Sequence, residues 1–431
     1  MLLLFFICLI LCLIIGLPIF LSLFAASWVY ILTNPDISVM VAAQKMISAP
    51  NSFTLLAVPF FLFAGQLMNN GGVTKRIFRF AETLVGHFRG GLGYVNVLAS
   101  MLFAGMSGSA SADAGGLGTV EIKAMRDAGY DDAFTIGVTA SSSLIGPIIP
   151  PSVPFVIFGA IANVSVGGLF IGGVVPGFIM AASLFVMIFF VARKRGYSKT
   201  KITNYWTWIK QILVSFKDAF FALLTPFIII GGIWLGFFTP TEAALVSIVY
   251  AILVTIYVYR DQKWKDIPPI IVEVIRIVPR AILIVGAANL FGWIMNYEKV
   301  DKILMEVLFS FTTNRYIILL IINLILFVMG MFLEVISALM LFLPILQPIV
   351  MTLGIHPIHL GVVMVLNLMI GLLTPPVGFV LYMLSIVSKV PVQKVIRYVI
   401  PWIIPLVFTL FLITFVPDFV MFLPTLLGFA D

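Results

Sequence analysis

One motif constrains this chain more than any other: a proline-broken apolar helix that occurs twice, 225 positions apart. The first copy reads Ile145-Gly146-Pro147-Ile148-Ile149-Pro150-Pro151 and the second Ile370-Gly371-Leu372-Leu373-Thr374-Pro375-Pro376. A proline has no N–H to bond the carbonyl four residues earlier. Each Pro-Pro pair therefore orphans two carbonyls, those of Gly146 and Pro147 in one copy and of Gly371 and Leu372 in the other. In hydrocarbon such groups are tolerated only where they are buried in protein or line a polar cavity. Paired breaks at matching places in two halves point to a transporter binding site.

The hydrocarbon setting follows from composition. Apolar residues make up 62% of the chain and charged residues 10%, against about 25% charged in a soluble domain, and the mean hydropathy is +1.18. The net charge of +7 resembles a nucleic-acid signal. The basic residues lie between apolar runs, however, where loop charge orients a membrane protein, so no nucleic acid is expected. Cys8 and Cys12 sit one turn apart in the first apolar run without a CxxC pair, and His87, His356 and His359 share no face. Ser141-Ser142-Ser143 has no His and acid partners nearby. The chain is not expected to be an enzyme. The run 1–31 is long and lacks a basic n-region, so it reads as a retained anchor rather than a signal peptide.

A span takes about 20 apolar residues. Candidate spans are 2–32, 54–70, 168–192, 218–236, 240–258, 279–296 and 398–420, with broken helices at 133–160 and 358–388. The 2–32 run carries a Gly16-Leu17-Pro18 interruption that leaves room for a second short crossing. Segments 91–122 and 316–352 are too long for one span, are interrupted midway, and each precedes a broken helix. They read as re-entrant helical hairpins. The fold class is an all-α polytopic membrane protein of two inverted-topology repeats, 1–217 and 218–431, each with a hairpin and a broken helix.

The repeat extends beyond the prolines. Gly105-Met106 matches Gly330-Met331 and Gly129 matches Gly354 at the same offset, while Gly65-Gln66-Leu67-Met68-Asn69 echoes Gly292-Trp293-Ile294-Met295-Asn296. Five crossings separate the last pair, an odd number, so the copies are inverted. Placing loop 193–201 in the cytoplasm puts 21 Lys and Arg inside and leaves only Lys45, Lys299, Lys302 and Arg315 outside. This asymmetry predicts a cytoplasmic N-terminus and a periplasmic C-terminus. Segments 73–89, 261–278 and 298–312 read as amphipathic interfacial helices in contact with the lipid bilayer. The stretch 33–53 fits neither a span nor a short loop.

Chemistry concentrates at the hairpin tips. The first reads Ser107-Gly108-Ser109-Ala110-Ser111-Ala112-Asp113, three hydroxyls at a helix break; the competing reading is small-residue packing. The second carries Glu334 in the register of Ser109, the sole charged side chain between Arg315 and Lys389. An acid at bilayer depth costs about 2.5–3.5 kcal/mol on insertion scales, which a cation would offset; a structural role, protonated and bonded to Ser337, is the alternative. The second sodium cradle is assigned to Gly330, Glu334, Gly371 and Thr374. Its counterpart is assigned to Ser107, Ser109, Gly146, Ile149 and Pro150. No Lys or Arg lies anywhere in 91–122, 133–192 or 316–388. An anionic substrate must then rely on half-helix N-termini, hydroxyls and co-bound cations. It is assigned to Ser107, Ser111, Pro151, Ser152 and Pro376. Thr239-Pro240-Thr241-Glu242 reads as a helix cap, and Asp113 either serves function or satisfies a half-helix N-terminus.

With these residues placed, the chain resembles the large membrane (M) subunit of TRAP, tripartite ATP-independent periplasmic, transporters. The matching motifs are Phe60-Phe61-Leu62-Phe63-Ala64-Gly65, Ser107-Gly108-Ser109-Ala110-Ser111-Ala112-Asp113, Gly146-Pro147-Ile148-Ile149-Pro150-Pro151-Ser152, Phe238-Thr239-Pro240-Thr241-Glu242-Ala243-Ala244 and Thr374-Pro375-Pro376-Val377-Gly378. The sialic-acid systems are the most similar. The resemblance implies an elevator mechanism with two or more coupling Na+ ions, a bacterial inner-membrane location and organic-acid import. It also implies a separate four-helix Q membrane subunit and a soluble periplasmic substrate-binding P protein. A stand-alone divalent-anion:sodium symporter is the alternative.

Overall fold

The computed structural model describes residues 1–48, 50–199, 202 and 204–429, apart from the side chains of Ser107, Ile277 and Arg280. All regular elements among the described residues are helical. The chain opens with α1 (Leu2–Ile14), α2 (Ile19–Thr33), α3 (Val39–Ser48), α4 (Ala57–Asn70) and α5 (Val73–Val85). Next come α6 (Gly91–Ser107), α7 (Ala110–Ala112), a π-turn at Asp113–Leu117, and α8 (Gly118–Asp127). The first broken helix is α9 (Asp132–Ser142) plus α10 (Val153–Ala162), followed by α11 (Val166–Lys194). The second half contains α12 (Tyr205–Trp234), α13 (Pro240–Ile252), α14 (Ile267–Tyr297), α15 (Val300–Phe311), α16 (Arg315–Gly330) and α17 (Val335–Thr352). It ends with the second broken helix, α18 (Pro357–Gly371) plus α19 (Phe379–Ser388), then α20 (Val392–Phe415) and α21 (Asp418–Leu426).

The succession short helix, hairpin, broken helix, long helix thus occurs twice, as α5–α11 and α15–α20. The halves do not separate in space. α9 packs on α20, α10 on α17 and α11 on α21, while α14 packs on α2, α3 and α4. Helices from both halves build one group around the broken helices, and α1–α4 with α12–α14 build another.

Six helical stretches are long and apolar enough to cross a membrane by length and composition: Phe53–Asn70, Val166–Lys194, Tyr205–Trp234, Pro240–Val258, Val335–Thr352 and Val392–Phe415. Three boundaries differ from the sequence reading. The run 2–32 is not one span. Gly16 turns at φ +84°, Pro18 caps α2, and the chain folds back so that Phe5 at one end of α1 meets Tyr30 at the far end of α2, ring centroids 6.1 Å apart. The N-terminus therefore returns to the side of the loop 34–38, which removes the parity argument for a cytoplasmic N-terminus. The stretches 261–278 and 279–296 are largely one helix, α14, of 31 residues, about 46 Å at 1.5 Å per residue. Pro279 lies inside it, as prolines do in membrane helices whose neighbours satisfy the freed backbone. The unplaced stretch 33–53 supplies α3, held to α14 by Asn289, whose amide donates to the Lys45 carbonyl at 2.6 Å.

The amphipathic reading of 73–89 holds over α5. Val73, Ile77, Phe78 and Phe80 are buried, and Arg76 leaves the apolar side to pair with Asp261 and cover the Tyr259 ring at 4.0 Å. Thr239 and Glu242 form a capping box on α13: the Thr239 N–H donates to Glu242 Oε2 at 2.8 Å, and the Glu242 N–H donates to Thr239 Oγ1 at 3.3 Å. Such a cap contributes about 1 kcal/mol.

Candidate functional site

Each hairpin turns beside its own broken helix. In the first, α6 ends at Gly108, whose φ of +59° suits a residue without Cβ. A Cβ there would also lie 2.5 Å from the Pro151 carbonyl oxygen. Ser109 is extended, and its hydroxyl meets that of Ser111 at 3.0 Å. In the second, Glu334 is the N-cap of α17 and accepts the N–H groups of Ile336 at 3.0 Å and Ser337 at 3.4 Å. The capping role is thus real, made to the backbone of Ser337 rather than to its hydroxyl. The tips are tied to the breaks by matching backbone bonds, Val153 N–H to Gly108 carbonyl at 3.5 Å and Gly378 N–H to Met331 carbonyl at 3.3 Å. Gly330 and Gly371 touch backbone to backbone: a Cβ on Gly371 would sit 2.4 Å from the Gly330 carbonyl carbon.

The breaks span 146–152 and 372–378, with cis Pro150–Pro151 and Pro375–Pro376 peptide bonds. Three of the four carbonyls expected to be orphaned have donors. Ser152 Oγ donates to the Pro147 carbonyl, Thr374 N–H to the Gly371 carbonyl at 2.9 Å, and Val380 N–H to the Leu372 carbonyl at 3.3 Å. The loops curl back to satisfy what the prolines remove, so these carbonyls can give a cation at most their second lone pair. Gly146 is pressed against a carboxylate instead, since a Cβ on it would lie 2.5 Å from Asp113 Oδ2. Asp113 itself is buried at the π-turn.

Both tips and the starts of α10 and α19 line one cavity of about 740 Å³. Of the residues singled out from sequence, Ser109, Ser111 and Glu334 open onto it. The others do not. Ser152 is fully buried, its oxygen engaged with Pro147 and with the Phe155 N–H at 3.3 Å. Ile149 packs on Gly177, and Thr374 Oγ1 donates to the Ile370 carbonyl at 3.0 Å. Pro150 and Pro151 stay buried in the first break, while Pro376 is exposed away from the cavity. The Ser107 side chain lies outside the described residues.

The sequence reading missed four polar wall residues: Gln66, Asn69 and Asn70 of α4 and Glu273 of α14. Gln66 and Asn69 were in view as part of the repeated Gly65 motif. Glu273 was assigned to an interfacial stretch, because nothing in its neighbourhood shows that α14 continues into the second group of helices. Gln66 donates to Glu273 at 3.5 Å. These residues stand on the last turns of α4 and the first turns of α14, the ends that adjoin the basic helix α5 and the basic segment 260–265. Among its described lining residues are two carboxylates, Glu273 and Glu334, and no Lys or Arg. No group of three or more His, Cys, Asp or Glu side chains is gathered among the described residues. A cation held at the second tip would draw on Glu334 with hydroxyl and backbone oxygens, a donor set that suits a hard ion.

A helical membrane chain whose hairpin tips and helix breaks enclose one polar cavity has the form of a transport permease. This chain belongs to the family described as "Tripartite ATP-independent periplasmic transporter, DctM component", whose model matches residues 6–419. It is 44% identical over 417 residues to the sialic acid TRAP transporter large permease protein SiaM of Vibrio cholerae, covering 96% of this chain and 97% of that one. It is 43% identical to the sialic acid TRAP transporter permease protein SiaT of Haemophilus influenzae, covering 96% of this chain and 66% of that one. The C4-dicarboxylate TRAP transporter large permease protein DctM of Pseudomonas aeruginosa is 38% identical, with 93% and 92% covered. Among solved structures, the Alcanivorax borkumensis YdaH transporter aligns over 90% of both chains with a TM-score of 0.54 and 13% identity, a likeness of fold alone.

Proposed function

We propose that this chain is the membrane permease subunit of a sodium-coupled, binding-protein-dependent importer of an organic acid, with sialic acid as the substrate its relatives favour. The observation that carries the proposal is the charge of the cavity: two carboxylates, several hydroxyls and no basic side chain among its described lining residues. An anionic substrate cannot enter such a space alone, because like charges in a low-dielectric site repel. Sodium ions beside the tips, one near Glu334 and one near Ser109, would reverse the local sign and make substrate entry conditional on ion entry. That conditionality is what coupling requires.

The elevator reading rests on contacts between the two helix groups. α17 meets α14 where Pro344 abuts Gly292, and α6 meets α12 where Gly105 abuts Pro226; a proline ring against a glycine at each place would be a point where the groups slide. With the polar wall formed by Gln66, Asn69, Asn70 and Glu273 at the basic end of α4 and α14, the present state would be the inward-facing one. Family membership supports a Q subunit and a periplasmic P protein as partners, in the bacterial inner membrane. The α1–α2 hairpin, combined with the loop charges, favours a periplasmic N-terminus alongside a periplasmic C-terminus.

The test is uptake by proteoliposomes containing this chain with its Q subunit, given a sialic-acid-binding P protein outside. An inward sodium gradient should drive accumulation, and replacing sodium with potassium should abolish it. Equal uptake without P protein would favour the stand-alone symporter, and equal uptake without sodium would remove the coupling.

A further inference from the structure

A second and larger cavity, of about 1060 Å³, lies away from the central one. Its walls come from α5 and the loop after it, Tyr197, Ser198, Ile202 and Asn204 ahead of α12, the first turns of α12, and the turn at 128–130 between α8 and α9. Arg79, which also lies 3.8 Å from Asp218, and Lys210 line it, with Glu82 as the one carboxylate among the described lining residues. Its floor is aromatic and apolar: His87, Phe88, Leu92, Tyr130, Trp208 and Val214. Along α12 the lining side chains are Thr207, Trp208, Lys210, Gln211 and Val214, so one wall offers both a cation and apolar surface, as a headgroup and the start of its acyl chains require.

Depth in the bilayer is set by neighbouring aromatics. Tyr205 and Trp206, on the first turn of α12, are 69% and 76% exposed, the placement of an interfacial aromatic belt. Trp208 donates its indole N–H to the Thr83 carbonyl at 2.8 Å, fixing α12 against the amphipathic α5 at that level. Basic pockets between helices on the cytoplasmic side are a recurrent receptor for anionic headgroups. We propose that this cavity binds the phosphate headgroup of an anionic phospholipid. The lipid would touch α5 and α12 on one wall and the α8–α9 turn on the other, tying an element that flanks the first group of helices to the hairpin.

The test is native mass spectrometry of the full chain in detergent, with phosphatidylglycerol and phosphatidylcholine as competing probes and glycerol 3-phosphate as a soluble control. Arg79→Gln and Lys210→Gln are compared with Arg193→Gln, a basic residue on the same face outside the cavity. Preferential retention of phosphatidylglycerol is expected, falling about fivefold for each cavity cation removed and unchanged in Arg193→Gln. Equal losses in all three variants would mean unspecific surface attraction and overturn the site. Displacement of the lipid by millimolar glycerol 3-phosphate would overturn the lipid assignment in favour of a soluble phosphate ester. Phosphatidylcholine retained as well as phosphatidylglycerol would overturn it altogether.

Discussion

Ser142 and Asn367, 225 positions apart, hold the same place in the two broken helices, and each is hydrogen bonded to a buried asparagine on the first arm of its own hairpin. Ser142 Oγ donates to Asn96 Oδ1 at 2.6 Å, and Asn367 Nδ2 donates to Asn323 Oδ1 at 2.6 Å. Asn96 also donates to Thr139 Oγ1 at 2.7 Å, and Asn367 reaches the Asn323 carbonyl at 2.9 Å. All four residues are buried, so each hairpin is registered against its broken helix by amide hydrogen bonds in an apolar setting.

Interhelical hydrogen bonds in membranes contribute about 0.6 kcal/mol on average and about 1.7 at most. Ser142→Ala should therefore lower stability slightly, and Asn367→Ala more, since it removes two bonds. Thermal unfolding in detergent, followed by tryptophan fluorescence, reads the difference. An Asn367→Ala protein as stable as the parent would deny the network an energetic role.

Glu334 combines a cap with a charge, and the two can be separated. Losing the cap costs about 1 kcal/mol, whereas losing the charge should end ion binding. Glu334→Gln keeps an acceptor oxygen and should insert and fold, yet lose at least tenfold of sodium-driven uptake. Glu334→Asp should retain part of the uptake with a raised sodium requirement. If Gln and the parent show the same sodium titration, the carboxylate serves as a cap alone.

What the sequence disclosed and what it hid follow one physical division. Proline and glycine punctuation acts locally, so both breaks, both hairpins and the tip residues Ser109, Ser111 and Glu334 were legible. Satisfaction of a carbonyl by a distant or curling donor is tertiary. The reading therefore expected free oxygens on Pro147, Gly371 and Leu372, where Ser152, Thr374 and Val380 supply partners. Hydropathy also reports apolarity without direction, so 2–32 counted as one span, while the Gly16-Leu17-Pro18 interruption, which left room for a second crossing, is where the chain folds into two helices. In α14 a change from amphipathic to apolar pattern looked like a boundary, but it marks only where one continuous helix leaves the interface.

Gly371 should tolerate no side chain. Its Cβ would meet the backbone of Gly330 at 2.4–2.8 Å, and backbone cannot rotate away as a side chain can. Gly371→Ala is expected to cost about 1–3 kcal/mol through overpacking and to displace the second tip from the break. Uptake should fall at least tenfold. Gly231→Ala, facing open space, is the control and should transport normally; similar losses in both variants would trace the defect to glycine content rather than to contact.

Asp131, at the N-terminus of α9 outside the apolar segments, predicts an acid-side signature. Burial tends to raise its carboxyl, but hydrogen bonds from Arg195, Tyr197 and the Phe134 N–H, with the Arg195 charge, outweigh it and hold the group below its ordinary 3.8. A depressed folded value stabilises the fold at every pH above the unfolded value and is lost as pH falls through the folded one. Asp131→Asn keeps a capping oxygen and removes the charge. It should lower the melting temperature at pH 7, with the gap to the parent closing toward pH 3. A gap independent of pH would assign the effect to shape rather than ionisation.

The last prediction concerns topology, because the α1–α2 hairpin changes its parity. Loop charge favours a cytoplasmic 193–201; from there the crossings by α11, the first broken helix and α4 bring loop 34–38 to the periplasm. Since α1 folds back on α2, the N-terminus should share that side. In a background with Cys8 and Cys12 replaced by serine, single cysteines are placed at Leu2, Asp36 and Ser198. Asp36 and Ser198 are exposed, so reagent access reports sidedness rather than burial. An impermeant thiol reagent on intact cells should label Leu2→Cys and Asp36→Cys, while Ser198→Cys should react only after permeabilisation. Labelling of Asp36→Cys without Leu2→Cys would mean that α1 and α2 together cross once, restoring a cytoplasmic N-terminus. Labelling of Ser198→Cys in intact cells would invert the whole arrangement and place the polar wall of the Glu334 cavity on the periplasmic side.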